Sequence, residues 1–256
     1  MNVYWLEQTE ADVPSENDWL SEKEALFLDT LRFAKRRADW RLGRWTAKCA
    51  LSVYLDVPGH LDLFKKLEIR PAPSGSPEVF FDELAAPVTI SLSHRAGRAI
   101  CAVAMSGVKL GCDLEIVEPR SDAFVADYLT VEEQALVADT AAADRDRLLA
   151  LVWSAKESAL KALGAGLRLD ARCVIVNPIV ESFDLISWSP LQVRHTGGRD
   201  SGDRCTKDRC PEDQLFQGWW QHAGVIMRTV VAEPAPNLPI PLRTTGHPFH
   251  RASQFA

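Results

Sequence analysis

The chain has 256 residues, enough for one large domain or two small ones, and its 46% hydrophobic and 25% charged residues are those of an ordinary globular protein. A formal charge of −6 argues against a nucleic-acid or anionic-membrane binder, so any anionic ligand must be held by a local cluster of cations. No run approaches the roughly 18 apolar residues of a membrane helix, and MNVYWLEQTEADVP does not read as a signal peptide, so a cytoplasmic protein with reduced thiols is expected.

In chain order, the first element is a helix opened by LSEKEAL (Leu20 to Leu26), where Ser21 and Glu24 have the spacing of a capping box. WTAKCAL (Trp45 to Leu51) continues the helical pattern. The first half then turns to strands: VTISLS, AICAVAM and VKLGCDLEIV, separated by HRAGR and SG turns. LTVEEQAL (Leu129 to Leu136) repeats the capping box with Thr130 and Glu133, and WSAKESAL (Trp153 to Leu160) echoes WTAKCAL at nearly the same separation. CVIVNPIV, LQVRH, QGWWQHA and VIMRTVVAE read as the strands of the second half, interrupted by a polar loop from Thr196 to Asp213. Two echoes in the same order predict a mixed α+β protein of two similar halves, residues 1–117 and 118–256, related by pseudo-two-fold symmetry. From about residue 233 the ending is Pro-rich and aperiodic, which predicts an extended or disordered tail that includes His247 and His250.

Cys49, Cys101, Cys112 and Cys173 lie in apolar segments, where cysteine is a small hydrophobe. Cys205 and Cys210 could pair with His195 and His222 around zinc, but C-x4-C is not a usual zinc spacing and the surroundings read as a loop.

VKLGCDLEIV alternates strictly, with Gly111, Asp113 and Glu115 on one face. Two same-face carboxylates stand roughly 7 Å apart at the backbone. A solvated strand face explains them as well as a site does. Gly111 beside the pair would permit close approach of a ligand. Trp153, Glu157 and Lys161 recur every four residues and so share one helix face. Taken alone, Glu157 and Lys161 read as a surface ion pair. If the halves pack together, Glu157 joins Asp113 and Glu115 as a third carboxylate. Such an all-oxygen set selects a hard cation such as Mg²⁺.

GCDLE, followed about forty residues later by WSAKESALK, resembles the G-x-D-x-E and W-x-x-K-E-x-x-x-K motifs of the 4′-phosphopantetheinyl transferase superfamily, and SLSH (Ser91 to His94) resembles that family's third motif. Length and repeat are similar to the larger, monomeric, Sfp-like branch. The resemblance implies an enzyme that transfers 4′-phosphopantetheine from coenzyme A to a serine of an apo acyl or peptidyl carrier protein, releasing 3′,5′-ADP. It implies Mg²⁺ held by Asp113, Glu115 and Glu157, with Glu157 as base for the serine hydroxyl, directly or through a water. Lys161 would offset charge on the departing phosphate. Ser93 and His94 would contact coenzyme A phosphates, and Arg44 and Arg70 would hold the 3′-phosphate through forked donors. Arg37, Arg41 and Lys48 stand in reserve. Ser76 in PSGSPEVF stands where the family has a lysine, and Arg95 and Ala96 replace a tighter S-H-S-G turn. Two other readings use the same residues: a magnesium-dependent hydrolase of a nucleotide pyrophosphate, and a coenzyme A-binding protein without turnover. The resemblance leaves open whether the carrier serves fatty-acid, polyketide or nonribosomal-peptide synthesis.

Overall fold

The computed structural model describes residues 1–58, 60–165, 168–178, 183, 187–197 and 213–244. Cys205, Cys210, most of the 196–213 loop and both tail histidines therefore lie outside the described residues. Among the described residues no helix is long and apolar enough to cross a membrane.

Two sheets and two long helices carry the site. The first sheet has the order β12-β1-β6-β5, from β1 (Tyr4–Thr9), β5 (Val88–Arg95), β6 (Arg98–Met105) and β12 (Ile240–Pro241). Against it lies α2 (Ala34–Tyr54), whose Trp45 stacks edge-on with Trp19 at 5.2 Å and meets Phe64 at 5.4 Å in the core. The second sheet has the order β7-β11-β10-β9-β8, from β7 (Lys109–Ile116), β8 (Val174–Pro178), β9 (Ser189–His195), β10 (Gln214–Ala223) and β11 (Ile226–Glu233). It is covered by α6 (Ala142–Ala162). A small sheet of β2 (Leu67–Pro71), β3 (Pro77–Phe81) and β4 (Leu84–Ala85) flanks the first. Shorter helices α1 (Glu22–Thr30), α3 (Leu61–Lys66), α4 (Asp122–Tyr128) and α5 (Val131–Asp139) complete the chain.

Both capping boxes form as the spacing predicts, Ser21 with Glu24 on α1 and Thr130 with Glu133 on α5. Each capping glutamate also does a second job that repeats. Glu24 pairs with the fully buried Lys48 at 2.5 Å and accepts the N–H of Ile69 on β2. Glu133 pairs with the fully buried Lys156 at 2.8 Å and accepts the N–H of Val176 on β8. The two lysines spend their remaining protons on backbone carbonyls, Trp19 and Phe64 for Lys48, Ala171 and Val174 for Lys156. Each knot thus ties a helix start, a long helix and a strand at the least solvated point of its core. The W-[ST]-A-K echo is the sequence trace of these knots.

The sheets do not divide at residue 118. β7 precedes that point yet hydrogen-bonds along β11, from Lys109 opposite Glu233 to Ile116 opposite Ile226. It is buried on both faces because the first sheet also reaches it: the Cys112 N–H donates to Ser91 Oγ at 2.9 Å. In the other direction, the Pro-rich ending returns to the first sheet. Its backbone donates from Asn237 to Met1, from Ile240 to Val3 and from Leu242 to Trp5, at 2.7, 2.9 and 2.7 Å. As far as Leu242 the ending is extended and paired, because β1 offers an edge to it.

Candidate functional site at the seam of the two sheets

Strand β7 and helix α6 bring the two motifs together. Their close approach depends on Gly111: a Cβ there would lie 1.8 Å from the carbonyl oxygen of Ser158. The glycine expected to admit a ligand admits a helix backbone instead. Buried hydroxyls lock the same contact, with Thr229 Oγ1 on β11 at 2.9 Å from Ser154 Oγ and 2.7 Å from Ser158 Oγ.

With α6 held against β7, Lys161 Nζ donates to Asp113 Oδ1 at 2.8 Å and to the Cys112 carbonyl at 3.0 Å. Ser93 Oγ donates to the same Asp113 oxygen at 2.7 Å. Asp113 is 4% exposed, and its other oxygen, Oδ2, is buried without a hydrogen-bond partner. An orphaned carboxylate oxygen in so dry a place fits a ligand that supplies positive charge. Glu115 accepts the Trp153 indole N–H at 3.1 Å and an N–H of Arg120 at 3.0 Å, and Arg95 stands 3.7 Å away. Trp153, expected only to pack, thus both stacks on Phe124 and Tyr128 and holds a site carboxylate.

Burial raises the Glu157 carboxyl above its ordinary range, and Asp113 and Glu115 add to the effect against the opposing Lys161. Burial and Asp113 likewise raise Glu115, against Arg120, Arg95 and Trp153. For Lys161, burial opposes the charge, but Asp113, Cys112 and Glu157 outweigh it and the ammonium is held more firmly than usual. The three carboxylates therefore feel one another across the seam. They are not a ready cage: no three His, Cys, Asp or Glu side chains among the described residues are grouped to hold a metal ion.

Beside this cluster opens a cavity of about 890 Å³, between α2, the β2–β3 turn, β5, β7 and the end of α6. Arg44, Arg70 and Lys161 line it, as do Lys109 and Arg168, which sequence reasoning did not place there. Arg44 is buried against the Trp40 ring at 5.1 Å, and that burial lowers its pKa. Arg70 is held by Glu68 and Glu83 at 2.5 and 2.6 Å and lies over Phe80.

Ser93 and His94 do not line the cavity but stand at the end of β5. Ser93 meets the carboxylate cluster. His94 is exposed at its edge, and its pKa is lowered by neighbouring protein atoms and by the nearby Lys161 and Lys35, against Asp39 and Asp113. The turn after it is two residues long, Ala96 and Gly97 at φ 49° and 72°, a geometry that suits sheet twist and that alanine adopts at a cost.

The reserve cations are structural. Lys48 is spent in its knot, Arg41 donates to the carbonyls of Pro14, Ser15 and Glu16, and Arg37 donates to that of Leu28 at 2.6 Å. Arg120, which sequence reasoning missed, had no periodicity to announce it. It sits in the connection after β7 and reaches back to Glu115 through the fold.

Residues 109–204 match the family model described as the 4′-phosphopantetheinyl transferase superfamily. The matched segment opens with β7 and contains the whole of α6, so Asp113, Glu115, Glu157 and Lys161 lie inside it. Arg44, Arg70, Ser93 and His94 lie outside it. No curated protein matches the chain. Among solved structures, the holo-(acyl-carrier-protein) synthase of Helicobacter pylori, in complex with coenzyme A, is similar at 20% identity, over 41% of this chain and 99% of its own, with a TM-score of 0.29.

Proposed function

We propose that this chain transfers the 4′-phosphopantetheine arm of coenzyme A to a serine of an apo carrier protein and releases 3′,5′-ADP, as a monomer of the larger, two-half branch of the superfamily. The observation that carries the reading is the meeting of β7 and α6: three mutually repelling carboxylates and a firmly charged lysine stand at the edge of a cation-lined cavity.

Asp113, Glu115 and Glu157 would hold Mg²⁺, the hard cation that an all-carboxylate set selects, and the orphaned Asp113 Oδ2 supports that assignment. When bound, the ion supplies Lewis-acid polarisation of phosphoryl oxygens. The chain's own residues do the rest. Arg44 and Arg70 hold anionic groups of coenzyme A along one wall of the cavity. Glu157, whose carboxyl burial raises above its ordinary range, would take the proton of an incoming serine hydroxyl, directly or through a water. Lys161 is too firmly protonated to be a good acid, so its contribution is fixed positive charge beside the departing phosphate. Ser93 keeps Asp113 oriented through its hydrogen bond, and Arg120 and Trp153 do so for Glu115.

The test is the intact mass of apo carrier proteins of fatty-acid, polyketide and nonribosomal-peptide type after incubation with this protein, coenzyme A and Mg²⁺. One added phosphopantetheine arm, absent with EDTA and with Glu157→Ala, is expected. Release of 3′,5′-ADP without any carrier gaining mass would instead indicate a hydrolase.

A further inference from the structure

The cavity's five cations are not equivalent. Arg44 faces Glu24 at 3.9 Å, Arg70 faces Glu68 and Glu83, Lys109 faces Glu233 at 3.1 Å, and Lys161 faces Asp113 at 2.8 Å. Arg168 has no carboxylate within ion-pair distance among the described residues. Its Nε donates to the Ala165 carbonyl at 3.0 Å, and its Nη2 donates to those of Gly164, at 2.8 Å, and Ser74. Carbonyls accept hydrogen bonds but carry no net charge, so this guanidinium is fixed in place with its positive charge uncompensated among the described residues. Its Nη1 makes no bond among the described residues.

Position adds to charge. Gly164 and Ala165 form the capping turn of α6, with the Ala165 N–H returning to Leu160 and the Gly164 N–H to Lys161. Ser74 belongs to the β2–β3 turn on the opposite wall. The two turns nearly touch, since a Cβ on Gly164 would come within 3.2 Å of Ser76 Oγ. Ser74, Gly75 and Ser76 bring no charge of their own to that wall. In a chain of net charge −6, an anion entering here has one guanidinium that no carboxylate already claims.

We propose that Arg168 is the principal phosphate-binding cation of this cavity, contacting a phosphate of coenzyme A while clasping the two walls together. This rests on the coenzyme A reading of the cavity. Forked donors suit a phosphate, and a charge not shared with a carboxylate is attracted to it without first breaking an ion pair.

The test compares wild type with Arg168→Ala, Arg168→Lys and Arg168→Glu. Coenzyme A binding is measured calorimetrically without carrier, and KM and kcat are measured with carrier over a range of salt. Arg168→Ala is expected to weaken coenzyme A about tenfold in both binding and KM, with kcat held. Lysine should recover part of the loss and glutamate deepen it, and the salt dependence of binding should become shallower in the alanine variant. Binding by Arg168→Ala within about twofold of wild type would overturn the proposal. So would an equal loss in all three variants with unchanged salt dependence, because that is the signature of a clasp alone. If wild type binds no coenzyme A, inorganic pyrophosphate separates the two ideas. Arg168-dependent pyrophosphate binding would discard coenzyme A but keep the cation site, and no binding of either would discard both.

Discussion

At the scale of single residues, the site depends on charges that the fold sets against each other. Burial raises the carboxyls of Glu115 and Glu157 above the ordinary glutamate value. The folded state therefore binds more protons than the unfolded chain between that value and the raised ones, and stability must fall as pH rises through this window. Without added divalent cation, the melting temperature should accordingly increase as pH is lowered from neutrality towards the ordinary glutamate range. Glu157→Gln should remove part of that dependence and raise the melting temperature at neutral pH, because the buried charge it replaces is the disfavoured form. An identical pH profile in the two proteins would contradict the account of Glu157. Arg120 belongs to the same scale. Its N–H lies 3.0 Å from Glu115, and Glu118 stands 3.7 Å from the same guanidinium. Arg120→Met should leave Glu115 less well held and raise the Mg²⁺ concentration needed for half-maximal transfer, with little change in the KM for coenzyme A. A change confined to coenzyme A would place Arg120 elsewhere in the reaction.

At the scale of elements, two features hold α6 where the chemistry needs it. The first is steric. Gly111→Ala puts a methyl carbon on the backbone of Ser158, which must move the helix, and a cost of about 3 kcal/mol or more in urea unfolding is expected. Because Glu157 and Lys161 move with the helix, transfer should fall further than the loss of folded protein explains. The second is the knot of Lys156 with Glu133. Its pairing distance of 2.8 Å, and carbonyls at the remaining protons, leave no water to replace the lysine. Lys156→Met should cost about 3–5 kcal/mol, the penalty for leaving a buried carboxylate without its partner. A cost below about 1 kcal/mol would show that the pair is solvated in solution.

At the scale of the whole molecule, the sheets hold one another through strands that cross over. β7 carries the carboxylates from the first half of the chain into the second sheet, and the segment after β11 returns to lie along β1. Removing residues 235–256 should strip the backbone hydrogen bonds made to Met1, Val3 and Trp5 and expose the edge of β1. A loss of about 2 kcal/mol, near 5 °C in melting temperature, is expected, while coenzyme A binding by the folded fraction persists because none of the segment's described residues lines the cavity. An unchanged melting temperature would mean that the strap contributes nothing.

What the sequence determined by itself was local and periodic. The capping boxes at Ser21 and Thr130, the alternation that puts Asp113 and Glu115 on one face, and the four-residue row of Trp153, Glu157 and Lys161 follow from backbone geometry. Such geometry repeats every 3.6 or 2 residues and leaves its mark on the chain. The motifs GCDLE and WSAKESALK were legible through their resemblance to those of a known family, and they fall in the segment that matches the superfamily. What only the tertiary structure decided was which groups meet and how dry the meeting place is. Gly111 turned out to face a helix, Lys48 to be buried in a knot, Arg120 to reach Glu115, and Arg168 to line the cavity with no carboxylate paired to it among the described residues. None of these leaves a periodic trace, because each depends on atoms brought together from distant parts of the chain. Whether a charge is solvated, paired or exposed to a ligand is a property of those neighbours, not of the residue that carries it.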